Sequence, residues 1–238
     1  MLISVIMPVY NGISFLSKSI NSVLDQTIDD FEFIIVDDCS SEPVWDLLKS
    51  YDDKRIKLYH NKKNIGLTKS LNICLDVAKG DYIVRQDGDD MSLSNRFEKQ
   101  IKFFDSHEIG FVGCWASSID VNDKKIKGWV DRGRRGTTDS LNGKYREQNC
   151  MVDPSSIYSR AAVEKIGYYD ERMYRAQTYN YNRRIQKFFK GVILEEVLYH
   201  RRVHPNSVGK TVSRMKKYKG VNWNDRANKF AKRSPIIK

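Results

Sequence analysis

The chain has 238 residues, a net charge of +11, 40% hydrophobic residues and 11% aromatic residues. This length fits one large domain or two small ones, and the aromatic content argues against a disordered chain. The sequence contains no apolar run of the roughly 18 to 20 residues that a membrane span requires, and its N-terminus lacks the pattern of a signal peptide. Four cysteines without a CxxC pair indicate neither a zinc site nor a disulfide framework. We therefore expect a cytoplasmic protein.

Apolar patterns in the first 85 residues predict alternating strands and helices. Apolar runs at residues 2–7 and 31–36 end at Pro8 and at Asp37, as strands buried on both faces do. Helical spacing of apolar residues between them completes a βαβ unit, which implies a parallel sheet with a right-handed crossover. The pattern continues with a strand at 55–59, a helix from Leu67 to Ala78 that is stopped by Gly80, and a strand at 82–84.

The second half of the sequence predicts fewer elements. Ser92 is the expected cap of a helix that carries Phe97 and Ile101, and apolar runs predict strands at 109–115 and 191–199. Residues 116–150 are polar and contain several glycines, so no element is assigned to them. Without an internal repeat or a low-complexity linker, the body is expected to be one α/β domain.

Positive charge is concentrated at the C-terminus. Residues 210–238 contain ten basic residues and one acidic residue, which leaves residues 1–209 with a net charge of only +2. Apolar residues recur at helical spacing among the basic ones, at Trp223, Ala227, Phe230 and Ala231. This pattern is typical of a basic amphipathic helix on an anionic membrane surface. A solvated helix packed on the body, or the remnant of a longer chain, are the alternatives. We divide the chain into a domain at 1–209 and a tail at 210–238.

Three loops follow the C-terminal ends of predicted strands, where open α/β sheets bind ligands. They are residues 8–12, 37–41 and 87–90, and the last two are acidic. Carboxylates that converge at one sheet edge repel one another, and oxygen ligands favour Mg²⁺ or Mn²⁺ over zinc. Such an ion would neutralise a diphosphate leaving group. The alternative is that these aspartates are turn formers and helix caps. The density of carboxylates at 87–90 favours the metal site.

Six motifs in order and at matching spacing resemble a known family. They are SVIMPVYN at 4–11, SVLDQT at 22–27, FEFIIVDD at 31–38, NIGL at 64–67, AKGDYI at 78–83 and DGDD at 87–90. Over roughly residues 2–209, the sequence is similar to the family 2 inverting glycosyltransferases with the GT-A fold. The resemblance implies a single Rossmann-like α/β domain whose mostly parallel central sheet is flanked by helices.

The resemblance also implies an activity and partners. The expected reaction transfers a sugar from a nucleotide diphosphate sugar to an acceptor hydroxyl, with inversion, in the synthesis of a surface polysaccharide or glycolipid. The expected donor is a UDP-sugar, the acceptor a glycan or a lipid-linked glycan, and the cofactor Mn²⁺ or Mg²⁺. The basic tail would then contact the inner face of a membrane.

Site residues carried over from the family fall into two groups. For the nucleotide sugar, Pro8, Val9 and Tyr10 are expected to line the base pocket, Asp38 to contact the base, Asp87 with Gly88 to face the ribose, and Lys69 to approach the phosphates. For the metal, Asp89 matches the last carboxylate of the family's DxD motif, and Asp90 supports it. His204 and Arg202 match the family's closing Y-x-x-R-x-H segment by spacing, and that histidine approaches the metal or the diphosphate.

The pattern departs from the family at the catalytic base. An inverting transfer needs a general base to deprotonate the acceptor hydroxyl, and the family places an aspartate where this chain has Thr178. A threonine hydroxyl does not accept a proton near neutral pH. Three explanations are open: a variant from which the base was removed, a natural non-catalytic member, or substitution by another acid, Asp153 or Asp170. An intact scaffold with impaired catalysis is the favoured interpretation.

Three other classes of protein are alternatives to this interpretation. A nucleic-acid-binding protein is indicated by the net charge and by Arg132, Arg134 and Arg135, but the acidic strand-end loops of a nearly neutral body disfavour it. A sugar nucleotidyltransferase would need a glycine-rich basic loop where this chain has Pro-Val-Tyr-Asn-Gly at 8–12. A non-catalytic scaffold that binds nucleotide sugars stays open because of Thr178.

Overall fold

The computed structural model describes residues 1–131 and 154–206. Strands and helices alternate in the first 85 residues: β1 (Ile3–Val9), α1 (Ile13–Leu24), β2 (Phe31–Asp37), α2 (Val44–Lys49), β3 (Ile56–His60), α3 (Leu67–Val77) and β4 (Tyr82–Arg85). The following elements are β5 (Met91–Ser92), α4 (Arg96–Ile101), β6 (Ile109–Ile119), β7 (Lys125–Asp131), β8 (Ile157–Ser159), α5 (Arg160–Ile166), α6 (Gln177–Ile185) and β9 (Lys190–Arg202). The predicted βαβ unit is confirmed.

One mixed sheet contains all nine strands of the residues that the structure describes. Its order is β3-β2-β1-β4-β8-β6-β9-β5, with β7 paired to β6. The first four strands in this order are parallel to one another. β8 joins them to the second half by antiparallel pairing with β4 and β6, and β6 is parallel to β9. The C-terminal ends of β1, β2 and β4 therefore meet at one edge.

Helices cover both faces of the parallel strands. Every residue of β1 and β2 is buried, as their continuous apolar runs predict. Because side chains alternate along a strand, Val5 and Met7 pack with α1 on one face, whereas Ile6 packs with α3 on the other. Among the described residues, no helix combines the length and the apolar character that crossing a membrane would require.

The predicted cap of one helix is wrong, and the end of another differs by one residue. Ser92 lies in β5 and does not cap a helix; α4 begins after Asn95. The Ser92 hydroxyl instead donates to Gln86 Oε1 at 2.7 Å. Helix α3 ends at Val77 with Ala78 as its C-cap, one residue from the predicted end, and Gly80 lies two residues beyond the cap. A Cβ on Gly80 would lie 2.5 Å from the backbone nitrogen of Ser4, so glycine is required there by the close approach of β1.

Candidate functional site

The first two strand-end loops are joined by hydrogen bonds. Pro8 and Val9 end β1, and the Asp38 amide donates to the Val9 carbonyl at 2.8 Å. Asn11 has a left-handed φ of 57°, its amide donates to Ser40 Oγ at 2.8 Å, and its Oδ1 accepts from the Ser41 amide at 2.8 Å. Tyr10 is left 54% exposed between these contacts. The loops thus form one hydrogen-bonded rim that presents an aromatic ring to solvent.

Asp38 is a buried anchor for the loop at 61–66. Its Oδ1 accepts from Asn61 Nδ2 at 2.8 Å and from the Ile65 amide at 2.9 Å, and its Oδ2 accepts from the Gly66 amide at 2.7 Å. This loop leads directly into α3, which carries Lys69. The Lys69 ammonium is half-exposed and lies 3.7 Å from a carboxylate oxygen of Glu171. The carboxylate of Asp38 therefore positions the start of α3.

An acidic cluster follows β4. Asp87, Asp89 and Asp90 each offer a carboxylate oxygen, and these oxygens lie within 4.8 Å of one another. A Cβ on Gly88 would lie 3.0 Å from Val9 Cγ1, so the loop packs closely on the end of β1. The structure thus brings the three predicted aspartates together at the sheet edge.

The electrostatics of the cluster fit a cation. Burial raises the pKa of Asp90, and the neighbouring charges of Asp89 and Asp87 raise it further. Burial also raises the pKa of Asp87, against the opposing charge of Arg85. Like-charged oxygens at this spacing are destabilised until a proton or a metal ion is shared between them. Carboxylate oxygens are the ligands that Mg²⁺ and Mn²⁺ prefer, so the residues present fit such an ion.

The end of β9 closes the cluster from the other side. His204 Nε2 lies 2.7 Å from Asp89 Oδ2. The Arg202 amide donates to Asp90 Oδ1 at 2.7 Å, and its Nε donates to the Asp89 carbonyl at 2.8 Å. The Arg202 guanidinium also lies over the ring of Phe15. Arg202 and His204 therefore contact the loop at 87–90, from which they are separated by more than 110 residues of sequence.

Residue 178, the predicted position of the catalytic base, lies at the start of α6. Thr178 is fully buried in the first turn of α6, and its hydroxyl accepts a hydrogen bond from Arg85 Nη1. Arg85 Nη2 also donates to Asp87 Oδ1 at 3.2 Å. Asp170, one of the two substitute acids, is buried and accepts from Arg172 Nε at 2.7 Å. Asp153, the other, lies outside the described residues.

Sequence reasoning missed the buried polar network that supports the acidic loop. Gln86 Nε2 donates to the carbonyls of Asp87 and Asp90, each at 3.2 Å. Its Oε1 accepts from Arg96 Nη1 at 3.2 Å, and Arg96 is fully buried. An arginine and a glutamine at the end of an apolar run, at 85 and 86, were the available signal. Buried polar groups need partners, so such residues beside a predicted site indicate a supporting network.

Comparisons with known proteins identify the family. A model of the family described as "Glycosyl transferase family 2" matches residues 4–167. The chain belongs to this family. An uncharacterized glycosyltransferase of Methanocaldococcus jannaschii is 33% identical over 224 residues, which are 92% of this chain and 76% of that protein. The resemblance predicted from the six motifs is therefore confirmed.

Two other relatives match less than half of this family 2 chain. EpsE of Bacillus subtilis, named as a glycosyltransferase, is 46% identical over 108 residues, 44% of this chain and 39% of EpsE. TuaG of the same organism, named as a teichuronic acid biosynthesis glycosyltransferase, is 37% identical over 112 residues, 46% of this chain and 44% of TuaG. In both proteins the matched part is less than half of the relative's length.

Solved structures confirm the GT-A fold. The structure of S. aureus TarS 1–349 in complex with UDP has a TM-score of 0.68 and 20% identity, over 97% of this chain and 70% of that chain. The mannosyltransferase PcManGT from Pyrobaculum calidifontis, in complex with GDP-Man and Mn²⁺, has a TM-score of 0.64 and 15% identity, over 96% of this chain and 69% of that chain. At these identities the likeness concerns the fold alone.

Proposed function

We propose that the family 2 domain transfers a sugar from a UDP-sugar to a glycan or lipid-linked acceptor hydroxyl, with inversion, in the synthesis of a surface glycan. The observation that carries the proposal is the carboxylate cluster of Asp87, Asp89 and Asp90, closed by His204, at the C-terminal edge of the parallel strands. The names of TuaG and of the UDP complex of TarS support the glycan and the nucleotide.

The donor's base is proposed to bind at the rim of the first two loops. Pro8 and Val9 end β1 at this rim, and the exposed ring of Tyr10 offers a stacking surface for a planar base. Asp38 is proposed to act at the base edge, and its three hydrogen bonds to 61–66 also hold the rim in place.

The ribose and the phosphates of the donor are proposed to lie between the rim and the acidic cluster. Asp87 with Gly88 is proposed to face the ribose, at the point where the loop packs on Val9. Lys69 is proposed to approach the phosphates from α3. Because its ammonium is half-exposed beside Glu171, it would exchange that exposed ion pair for a phosphate contact.

Asp89, Asp90 and His204 are proposed to hold Mn²⁺ or Mg²⁺. When bound, the ion would neutralise the charge that develops on the diphosphate leaving group. Arg202 donates a hydrogen bond to the Asp89 carbonyl, and Gln86 donates to the carbonyls of Asp87 and Asp90. The carboxylates are therefore preorganised by the protein, which limits their rearrangement when a ligand binds.

The acceptor side is proposed to be impaired. Deprotonation of the acceptor hydroxyl requires a base, and Thr178 offers a buried hydroxyl bonded to Arg85 in its place. Asp170 is a weak substitute because its carboxylate is already hydrogen-bonded to Arg172. This observation favours a second candidate function, a non-catalytic scaffold that binds the nucleotide sugar with the same donor site.

Thermal-shift measurements with UDP-, GDP-, dTDP- and CMP-sugars, each with and without Mn²⁺, test the donor site. We expect one nucleotide class to raise the melting temperature, because a ligand that binds the folded state stabilises it by mass action. The increase should disappear with a chelator and with Asp89→Ala. Asp105→Ala, a change at an exposed aspartate outside the site, is the matched control and should keep the increase. No shift with any nucleotide would contradict the donor site.

A further inference from the structure

One buried guanidinium joins the acidic loop to the helix that carries residue 178. Arg85 is the last residue of β4, and its side chain is only 2% exposed. Its Nη2 donates to Asp87 Oδ1 at 3.2 Å, and its Nη1 donates to the Thr178 hydroxyl in the first turn of α6. The Arg85 amide donates to the Ser156 carbonyl at 3.0 Å, so the backbone is also fixed. Arg85 therefore contacts both sides of the site at once.

The start of α6 depends on such a contact. Its N-cap residue, Ala176, has a left-handed φ of 55° and makes no side-chain capping hydrogen bond. A left-handed conformation is costly for alanine, and it persists only where the surrounding structure holds it. Thr178 lies two residues beyond this cap, fully buried. The hydrogen bond from Arg85 to the Thr178 hydroxyl thus fixes the first turn of α6, where the local sequence supplies no capping side chain.

Arginine suits this position because its donors are held in a rigid plane. The two Nη atoms form a fixed fork, so contacts to two partners also fix the angle between those partners. A lysine ammonium carries the same charge on a flexible stem and does not impose that angle. The geometry between Asp87 and α6 is therefore set by the shape of the guanidinium as well as by its charge.

We propose that Arg85 is a positioning residue for the donor site, which fixes the first turn of α6 against Asp87 through the Thr178 hydroxyl. In this chain, residue 178 then serves as an anchor for Arg85, and the threonine preserves the architecture of the site without supplying a base. The inference rests on the proposed function, because the ligand whose binding it affects is UDP with its metal ion.

A double-mutant cycle on the full chain tests the proposal. The variants are Arg85→Met, Thr178→Val, both together, and Arg85→Lys. Arg160→Met is the matched control, because Arg160 donates to the carbonyls of Gly80 and Ala78 at the opposite end of β4. The dissociation constant of UDP with Mn²⁺ is measured by calorimetry. Amide hydrogen exchange at 177–185 is measured without ligand.

The expected results separate positioning from stability. Arg85→Met should weaken UDP binding about tenfold and Thr178→Val about threefold, within the range of couplings between contacting residues. The double variant should bind no more weakly than Arg85→Met, because each change breaks the same link. Arg85→Met and Thr178→Val should each speed amide exchange in the first turn of α6. The exchange rate and UDP affinity of Arg85→Lys should lie between those of these variants and those of the unchanged chain. Arg160→Met should alter neither the exchange rate nor the affinity.

Two outcomes would overturn the proposal. One is a folded Arg85→Met variant with unchanged UDP affinity and unchanged exchange in α6; the other is a double variant whose loss is the product of the two single losses. If Arg85→Met does not fold, Thr178→Val and Arg85→Lys provide the same comparison. If the unchanged chain binds no UDP with Mn²⁺, the donor proposal fails, and the exchange data alone decide whether Arg85 anchors α6.

Discussion

Aspartates at the same sheet edge have different surroundings, and this difference separates their roles. Asp38 is 2% exposed, and its two oxygens accept three hydrogen bonds from residues 61–66. The side chain of Asp89 is 33% exposed, and its Oδ2 lies beside His204. Both oxygens of the Asp38 carboxylate are thus held by the protein, whereas the Asp89 carboxylate is more accessible to solvent. Loss of Asp38 should therefore destabilise the loop at 61–66 in addition to removing the proposed contact with the base, whereas loss of Asp89 should mainly weaken ligand binding.

Asp38→Asn is expected to lower the free energy of unfolding by about 1 to 3 kcal/mol, because an amide nitrogen would face donors that need an acceptor. Urea denaturation measures the change. Asp81→Asn is the matched control: Asp81 is an exposed carboxylate that accepts from the Leu2 amide at 3.0 Å, at the opposite edge of the sheet. Equal costs for the two changes would show that the three bonds of Asp38 contribute little.

Thr178→Asp is expected to raise sugar transfer at least about tenfold, since a positioned general base contributes a factor of about 100 to 10,000. The new carboxylate would lie against the Arg85 guanidinium, whose charge favours the ionised form of a buried acid. Steady-state transfer rates measure the gain, while the nucleotide affinity should stay similar. Thr178→Asn, whose side chain has the shape of aspartate without the charge, should give no gain in the transfer rate. Equal rates in the two variants would reject position 178 as the site of the base.

Elements with a local signal were predictable from the sequence, and those formed by distant pairing were not. The buried runs of β1 and β2 and the periodic helices α1 and α3 were predicted within a few residues. Strand β5 has two residues and exists through its pairing with β9, and β8 has three residues between β4 and β6. Such short strands carry too few residues to show a periodicity.

The candidate site also has a part that could be predicted from the sequence and a part that could not. The acidic loop at 87–90 is contiguous, so its composition revealed it. Its contact with His204 joins residues 115 apart, and that between Arg85 and Thr178 joins residues 93 apart. The family resemblance placed His204 near the metal, but no pattern in the sequence indicated the bond from Arg85. Side-chain contacts between distant elements depend on packing that a single sequence does not display.

Gly80→Ala is expected to destabilise the protein by about 3 kcal/mol, at the upper end of the usual cost of overpacking. The new Cβ would lie 2.5 Å from the Ser4 nitrogen and 2.7 Å from the Ile3 carbonyl carbon, and backbone atoms cannot move aside as side chains do. Gly12→Ala is the comparison, because Gly12 has a φ of 77° but open space around it, and should cost only about 1 kcal/mol. Chemical denaturation measures both. A smaller cost at Gly80 than at Gly12 would contradict the close approach of β1.

At the scale of the whole molecule, the charge and the candidate site lie in different parts of the chain. Residues 1–209 carry a net charge of +2 and contain the acidic cluster, whereas residues 210–238 carry +9 and lie outside the described residues. The described residues of the candidate donor site therefore all lie in the nearly neutral part of the chain. Its acidic loop would gain nothing from an anionic surface, so an interaction with a membrane is expected to depend on the tail alone.

Removal of residues 210–238 is expected to abolish binding to anionic vesicles while leaving UDP affinity unchanged. Basic residues near an anionic surface contribute about 1 kcal/mol each, and the attraction decreases as salt is added. Co-sedimentation with vesicles that contain phosphatidylserine measures the binding, and vesicles of phosphatidylcholine alone are the control. The full chain should sediment with the anionic vesicles at low salt and be released at high salt. Equal sedimentation of the full and shortened chains would exclude the tail as the membrane contact. It would leave a helix packed on the body, or the remnant of a longer chain, as the explanation of the tail.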